Sequence, residues 1–512
     1  MTGTEGGPDG LDRRAFLGVC VAAGAAMAGA CSGAEGSDPP SENERSGDPH
    51  WRITDTGADD AIQGYADRVS VDPGEEFGLY VSTPAPAYRV SAYRIGWYDG
   101  AQARRVWRSE PLPGAVQQEP AFFPTTHTVR ADWERGPVVS TEGWPEGAYL
   151  LRLDAEGGAG GQRYVPLVVR SSEAAGRTVL MHAPATWQAY NLWGGYNLYE
   201  GKDGDYRTRA LVVSFDRPYD KDGAEKFMVY ERAAVVLAER LNLPLAYTTG
   251  LDVDRDPGVL DGAAQVVILG HDEYMTPAQR AHLTRARDAG TNIAILGANT
   301  CFRRVRLDPT PLEPPHRGDR RIVACYKSAY TEDPHHGHQD TLVTTDFRAA
   351  PAPDPESSLT GVLYEGYPVD APYVVHRPEH WAFEGTGVRA GDSFPHLVGV
   401  EYDRVTPEAP TPEGIEIVAH SPLVCNGTAS HQDSAYYTVP SGAGVFATGT
   451  MRWVEALMAG TDENGANHGM DARTGRFVTR VTENILRTFA AGPAAETHPA
   501  HGNAPEIYGE QA

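Results

Sequence analysis

The sequence predicts an α/β protein in which an immunoglobulin-like β-sandwich precedes a doubly wound α/β domain. Two patterns carry that expectation. Beyond Trp51 apolar residues recur with period two: Phe77, Leu79 and Val81; Tyr93, Ile95 and Trp97; Tyr149, Leu151 and Leu153; Val165, Leu167 and Val169. Short strands joined by Gly and Pro turns, with no helical period between them, indicate a sandwich of roughly 120 residues. Between Gln265 and Thr300 the pattern changes. Val266-Val267-Ile268-Leu269-Gly270 and Ile293-Ala294-Ile295-Leu296-Gly297 are strand-length runs separated by a polar-faced helical segment, which together read as one βαβ unit of a parallel sheet.

That helix is well punctuated: Thr276 suits the N-cap, Pro277 the first helical position and Gly290 the left-handed stop. A right-handed crossover puts the C-terminal ends of both strands on one edge of the sheet, the edge where open α/β sheets bind ligands. His271-Asp272-Glu273-Tyr274 follows the first strand and Ala298-Asn299-Thr300 the second. A histidine, carboxylates and a carboxamide therefore gather at one candidate site.

In chain order, residues 1–31 read as an export signal. Asp12-Arg13-Arg14-Ala15-Phe16-Leu17-Gly18 is a twin-arginine pattern, and the apolar stretch from Val19 to Ala30 is too short for a permanent membrane span. Ala28-Gly29-Ala30-Cys31 reads as a relaxed lipobox, with Cys31 the lipidated residue. The expected location is extracytoplasmic, with the membrane contacted only through that lipid. Residues 32–50 are rich in Gly, Ser, Pro, Asp and Glu and read as a disordered tether. The sandwich is expected over 51–172 and the α/β domain over 176–491, with strands at Val179-Leu180-Met181 and Leu245-Ala246-Tyr247, a helix over 230–240, long loops from Arg303 to about Pro395, and a last helix near Val478 to Ala490. Residues 492–512 read as a polar, frayed tail.

With 69 acidic against 44 basic residues, the net charge is -25, which repels phosphate backbones and excludes nucleic acid as a natural partner. Five cysteines, none in CxxC spacing, signal neither a disulfide scaffold nor a structural zinc site. Cys301, Cys325 and Cys425 read as buried thiols. Cys301 could serve as a nucleophile only without the glycines of a nucleophile elbow, a position that acids occupy here.

From Trp187 to Tyr199 aromatics fall at every third position: Trp187, Tyr190, Trp193, Tyr196 and Tyr199. Gly194-Gly195 disfavours a helix through the middle, so the stretch reads as an aromatic loop after the first α/β strand. Its rings can pin the loop to the core, or wall a pocket with phenols available as metal ligands. His271 can likewise be a satisfied structural histidine or a group beside a metal-bound water.

Several ordered blocks resemble the C-terminal region of the N,N-dimethylformamidase large (β) subunit family. They are Tyr93-Arg94-Ile95-Gly96-Trp97-Tyr98, Thr186-Trp187-Gln188-Ala189-Tyr190-Asn191, Gly270-His271-Asp272-Glu273-Tyr274, Gly297-Ala298-Asn299-Thr300, Gly385-Thr386-Gly387, Gly399-Val400-Glu401-Tyr402-Asp403 and Thr448-Gly449-Thr450-Met451-Arg452-Trp453. The resemblance runs from about Val69 to Ala490. It implies a glutamine-amidotransferase-like α/β domain and a mononuclear iron, Fe(III) by its hard oxygen donors, held by two tyrosines and a glutamate. Position by position it implies Glu273 and Tyr190 as metal ligands, with Tyr149 as the second tyrosine. His271 and Asn299 become the substrate-orienting groups and Glu401 the acid-base carboxylate. The family enzyme works with a small partner subunit and carries an extra N-terminal domain, where this chain has a leader and a tether.

The expectation is an exported, iron-dependent amidohydrolase acting on the C–N bond of a small amide, with self-association or a small partner subunit left open. The alternatives are a non-catalytic cell-surface module that binds carbohydrate or cell-wall ligand, and a Cys301 thiol amidotransferase.

Overall fold

The computed structural model describes residues 42–158, 160–312, 320–459 and 468–509. The twin-arginine leader, Cys31 and the first half of the tether lie outside the described residues. In the sandwich, Glu76–Ser82 pairs with Gln63–Ala66 and Val138–Ser140 in one sheet. The other sheet is built on Gln162–Val169, Gly147–Glu156, Ala87–Ile95 and Ala103–Arg108. Successive side chains of a strand face opposite ways, and here both ways are buried. Val90, Ala92, Tyr149, Leu151, Leu153, Val165 and Leu167 face the sandwich interior with Phe77 and Leu79. Their neighbours Tyr93, Ile95, Ala148, Leu150 and Val168 join the core of the α/β layer.

The α/β layer is a seven-stranded sheet. In chain order its elements are β1 (Thr178–His182), α1 (Pro184–Tyr190), α2 (Arg232–Arg240), β2 (Leu245–Thr249), β3 (Gln265–Ile268), α3 (Pro277–Asp288) and β4 (Asn292–Ile295). There follow β5 (Leu363–Val374), β6 (Ser393–Arg404), β7 (Glu416–Cys425), β8 (Thr428–Thr438), β9 (Gly444–Ala447), α4 (Ala472–Ala490) and α5 (Ala504–Tyr508). Strands β5 and β6 pair apart as a two-stranded antiparallel sheet, and the order of the seven-stranded sheet is β2-β1-β3-β4-β9-β8-β7. The first five strands are parallel, and β8 and β7 close the edge as an antiparallel hairpin. Leu180, Val267 and Ala294 face one core with α2 and α4, while Val179, Met181, Val266, Ile268, Ile293 and Ile295 face the other with Leu283 and Ala286 of α3. Both faces are therefore covered, which is why these strands read as continuous apolar runs. The α3 caps form as predicted, with the Thr276 side chain accepting from the Gln279 N–H. Among the described residues no helix is long and apolar enough to cross a membrane.

Sandwich and α/β layer belong to one unit, 41–512, and Arg94 ties them together. Its buried guanidinium donates to Glu239 of α2 at 2.5 Å, to the Tyr98 hydroxyl at 3.0 Å and to the Glu146 carbonyl at 2.7 Å.

Four sequence expectations are corrected. Residues 42–50 are docked, because Glu42 accepts from the Tyr98 hydroxyl and from Arg104, and the Asp48 N–H donates to the Ala103 carbonyl. The tail is docked too: the buried Asn503 side chain bonds both the N–H and the C=O of Ile417, and α5 comes directly after it. Trp187 and Tyr190 lie on the short helix α1, and the chain turns only at Gly194 and Gly195. The last long helix starts at Ala472, six residues before the apolar signal, because Asp471 caps it through the Thr474 N–H.

Substituting Arg94→Met removes one partner of a buried ion pair, and is expected to lower unfolding free energy by about 3 kcal/mol or more. Urea unfolding measures the loss, and the pair Arg94→Met with Glu239→Gln is expected to recover part of it.

Candidate functional site

β1, β3 and β4 run parallel in register, so their C-terminal ends share one edge. From β1 the chain passes outward to β2 and then back across to β3, which makes the β1/β3 boundary the switch point of the sheet. Two glycines set the turns there. A Cβ on Gly297 would lie 1.5 Å from the Gly270 carbonyl oxygen, and one on Gly270, whose φ is +39°, would lie 2.1 Å from the Tyr230 carbonyl oxygen. Only residues without side chains let the turns after β3 and β4 touch. Backbone bonds then tie the two turns to each other: the Cys301 N–H donates to Asp272 O and the Arg303 N–H to Glu273 O. Asn299 takes a left-handed φ of 58°, a conformation that asparagine tolerates better than most residues.

At this edge three oxygen groups converge. The Tyr190 hydroxyl donates to Glu273 Oε2 at 2.6 Å, and the Tyr199 hydroxyl lies 2.7 Å from both carboxylate oxygens and 2.9 Å from the Tyr190 hydroxyl. The two rings stack with centroids 4.6 Å apart. Arg303 Nε donates to Glu273 Oε1 at 3.3 Å. His271 Nε2 stands between two carboxylates, 3.5 Å from Glu273 Oε2 and 3.6 Å from Glu401 Oε2. Asn299 reaches Glu401 through Nδ2 at 2.8 Å, while its backbone N–H donates to Asp403 at 2.8 Å. His271, Asn299, Glu401, Tyr190 and Glu273 are thus brought together.

Tyr149 is not with them, which corrects its assignment as a ligand. It shares the inward face of its strand with Leu151 and Leu153, stacks on Trp144 with centroids 5.1 Å apart, and donates to the Pro145 carbonyl at 2.6 Å. The strand face toward the α/β layer carries Ala148 and Leu150 instead. The second phenol is Tyr199, visible in the sequence as the last member of the aromatic run. Arg303 and Lys327 were missed altogether. Lys327 Nζ sits 3.4 Å from the Tyr199 ring centroid and donates to Leu198 O at 2.8 Å.

The electrostatics divide the acids. Burial alone would raise the Glu273 carboxyl, but His271, Arg303 and Lys327 overcome it and hold it below the usual carboxylate range. Glu401, buried beside that anion, is pushed up to about 7. Asp403 and Glu455 also rise to about 7, chiefly through burial. Burial and Glu273 raise both phenols well above their ordinary range, so they act as neutral donors to the carboxylate. Burial and the Arg303 charge lower the Lys327 ammonium to about 7. Burial pushes the Cys301 thiol up to about 12, so no thiolate forms there near neutral pH. A cleft lined by Trp187, Tyr190, Asn191, Tyr219, Lys226 and Phe227 lies beside Tyr190.

Fold and site together define an α/β protein whose switch-point edge holds a buried carboxylate bridged by two phenols. The chain belongs to the N,N-dimethylformamidase beta subunit-like, C-terminal family, whose model matches residues 89–468. A search of curated proteins finds no match. Among solved structures, a cycloisomaltooligosaccharide glucanotransferase from Paenibacillus sp., complexed with cycloisomaltoheptaose, is similar over 85% of this chain and 81% of that one. Its identity of 10% and TM-score of 0.17 transfer neither fold nor activity.

The raised carboxyls make stability depend on pH. An acid whose folded pKa exceeds its unfolded value binds its proton more tightly when folded. For Asp403 and Glu455 that contribution is complete below about pH 4, declines as pH rises through 7 and is flat above. Glu273, shifted downward, acts oppositely but only below its ordinary value of 4.5. Melting temperature is therefore expected to fall between about pH 4 and about pH 7. Calorimetry across that range should show a shallower fall in Asp403→Asn.

Proposed function

We propose that the protein is an iron-dependent amidohydrolase that cleaves the C–N bond of a small amide with water. The observation that carries this reading is the convergence of the Tyr190 and Tyr199 hydroxyls on the Glu273 carboxylate, at 2.6 to 2.7 Å. The residues fit a ferric ion. Two phenols and a carboxylate are hard oxygen donors, and beside them His271 Nε2 and Asn299 Oδ1 are buried polar atoms without a hydrogen-bond partner among the described residues. Tyr190, Tyr199 and Glu273 would hold the ion, and when bound it supplies Lewis acidity to an amide carbonyl and acidity to water.

The chain's own groups do the rest. Glu401, with its carboxyl near neutrality, is matched to take a proton from water and deliver it to the departing nitrogen. Attack of the water oxygen on the carbonyl carbon, cleavage of C–N and protonation of the amine balance the hydrolysis. Asn299, fixed through both its side chain and its backbone N–H, orients the carbonyl. His271, between the two carboxylates, steadies the charge as the proton moves. Burial of the acids excludes bulk water, which strengthens each of these interactions. Export by the twin-arginine route and anchoring through lipidated Cys31 belong to the same reading and are supported by the Arg13-Arg14 leader and the Ala-Gly-Ala-Cys sequence.

Ferric phenolate absorbs visible light, so the purified protein is expected to be coloured and to hold about one iron per chain. Glu273→Gln and Tyr199→Phe should each lose iron and colour together, whereas Tyr149→Phe should keep both. Glu401→Gln should keep iron while kcat falls about a hundredfold or more. Elemental analysis, absorption spectra and amide hydrolysis check these. A colourless, iron-free protein from iron-replete cells would refute the reading.

A further inference from the structure

We propose that His420, His431 and Asp433 form a second metal site, for a divalent cation of the zinc class, at the edge hairpin β7–β8. It shares no residue with the Tyr190, Tyr199 and Glu273 centre and takes a different donor set, two imidazoles and one carboxylate.

Strand register builds the cluster. Asp433 of β8 lies directly opposite His420 of β7. His431 is two residues from Asp433 on the same strand, so all three side chains stand on one face of the hairpin. Their ligand atoms all lie within 4.8 Å of one another. His420 Nδ1 is 2.7 Å from Asp433 Oδ1, and His431 Nε2 is 3.8 Å from Asp433 Oδ2. Ligand atoms bound at about 2.0 to 2.1 Å stand roughly 3 Å apart, a spacing these distances bracket.

Three further features suit a metal. The Tyr508 hydroxyl reaches the cluster from α5, 2.7 Å from His431 Nε2 and bonded to Asp433 Oδ2, and so adds a fourth oxygen or nitrogen donor. Asp433 is fully buried and its carboxylate is held by the Val405 N–H at 2.9 Å, the kind of outer bond that orients metal-binding carboxylates. Both histidines are partly exposed, which leaves an entry path. Two nitrogens and a carboxylate suit zinc or another late divalent ion better than the hard ferric ion. The bound ion replaces the protons now shared within the cluster, so binding releases protons to buffer. It also clamps α5, and with it the docked tail, onto the sheet edge.

The full chain, stripped with a chelator, is titrated with Zn²⁺ and with Co²⁺ as a spectroscopic probe. His420→Gln and His431→Gln preserve hydrogen-bonding side chains while weakening ligation, and Glu273→Gln silences the other centre. The expected result is one zinc equivalent bound by the wild type and by Glu273→Gln, with tetrahedral cobalt bands. Affinity should fall at least tenfold in each histidine variant, and hydrogen exchange of residues 504–508 should slow on zinc addition only where zinc binds. Absence of stoichiometric binding to the wild type, or binding unchanged in both histidine variants, overturns the proposal. Binding lost in Glu273→Gln alone overturns it too, without touching the amidase reading.

Discussion

A carboxylate without bulk water needs donors, and that requirement organises the switch-point edge of this protein. Asp272, Glu273, Glu401 and Asp403 are all buried within two short stretches of chain, and an unpaired buried charge costs several kcal/mol. Only Glu273 is ringed by donors, two phenols and the Arg303 guanidinium. It remains an anion, and its charge helps to push Glu401 toward neutrality. Burial, together with the nearby Glu231 charge, raises Asp272 well above the ordinary carboxylate range. Neighbouring acids with separated protonation states are the arrangement from which an acid-base site is made.

The same requirement explains the helix after β1. Glu231 accepts from the Trp187 indole at 2.7 Å and from the Ala183 N–H, and it pairs with His182 at 2.5 Å. Thr186 donates toward Asp272 and accepts from the Tyr274 N–H. The seven-residue helix α1, about two turns long, is thereby fixed along its N-terminal half, and Tyr190 at its last position is held by its own bond to Glu273. Packing and polar bonds of this kind place a short helix where its intrinsic propensity could not.

The βαβ unit from Gln265 to Thr300 was legible because its signals are local: two apolar runs, a cap, a proline and a stop. Tyr149 was misread for a physical reason. Period two shows that Tyr149 and Leu150 face opposite ways, yet both faces of that strand are buried, one in the sandwich and one against the α/β layer. Nothing in the local sequence says which face meets the site. Tyr199 was visible within the aromatic run, but its meeting with Tyr190 depends on a reversal at Gly194 and Gly195, both at positive φ, and on contacts distant in sequence. Lys327 and Arg303 sit in a region without periodicity, where single charged residues carry no positional signal. The docked tail rests on Asn503 and Tyr508, residue types as common in frayed ends as in ordered ones.

The blocks in the second half of the chain gain a structural meaning through β6. Glu401, Asp403 and Val405 alternate along that segment and so share a face. Glu401 meets the Asn299 side chain, Asp403 the Asn299 backbone, and the Val405 N–H the carboxylate of Asp433. The block Thr448 to Trp453 is the backbone partner that holds them there. The Asp403 N–H donates to Gly449 O, the Met451 N–H to Glu401 O and the Arg452 N–H to Gly399 O. A side chain at Gly449 would press within 2.1 Å of the Asp433 carbonyl oxygen, so glycine there lets β6, β8 and the turn after β9 close on one another. A single stretch of extended chain thus positions the acid of the candidate active site, holds the Asn299 backbone through Asp403 two residues further, and through the Val405 N–H, four residues further, braces the edge hairpin that carries His420, His431 and Asp433.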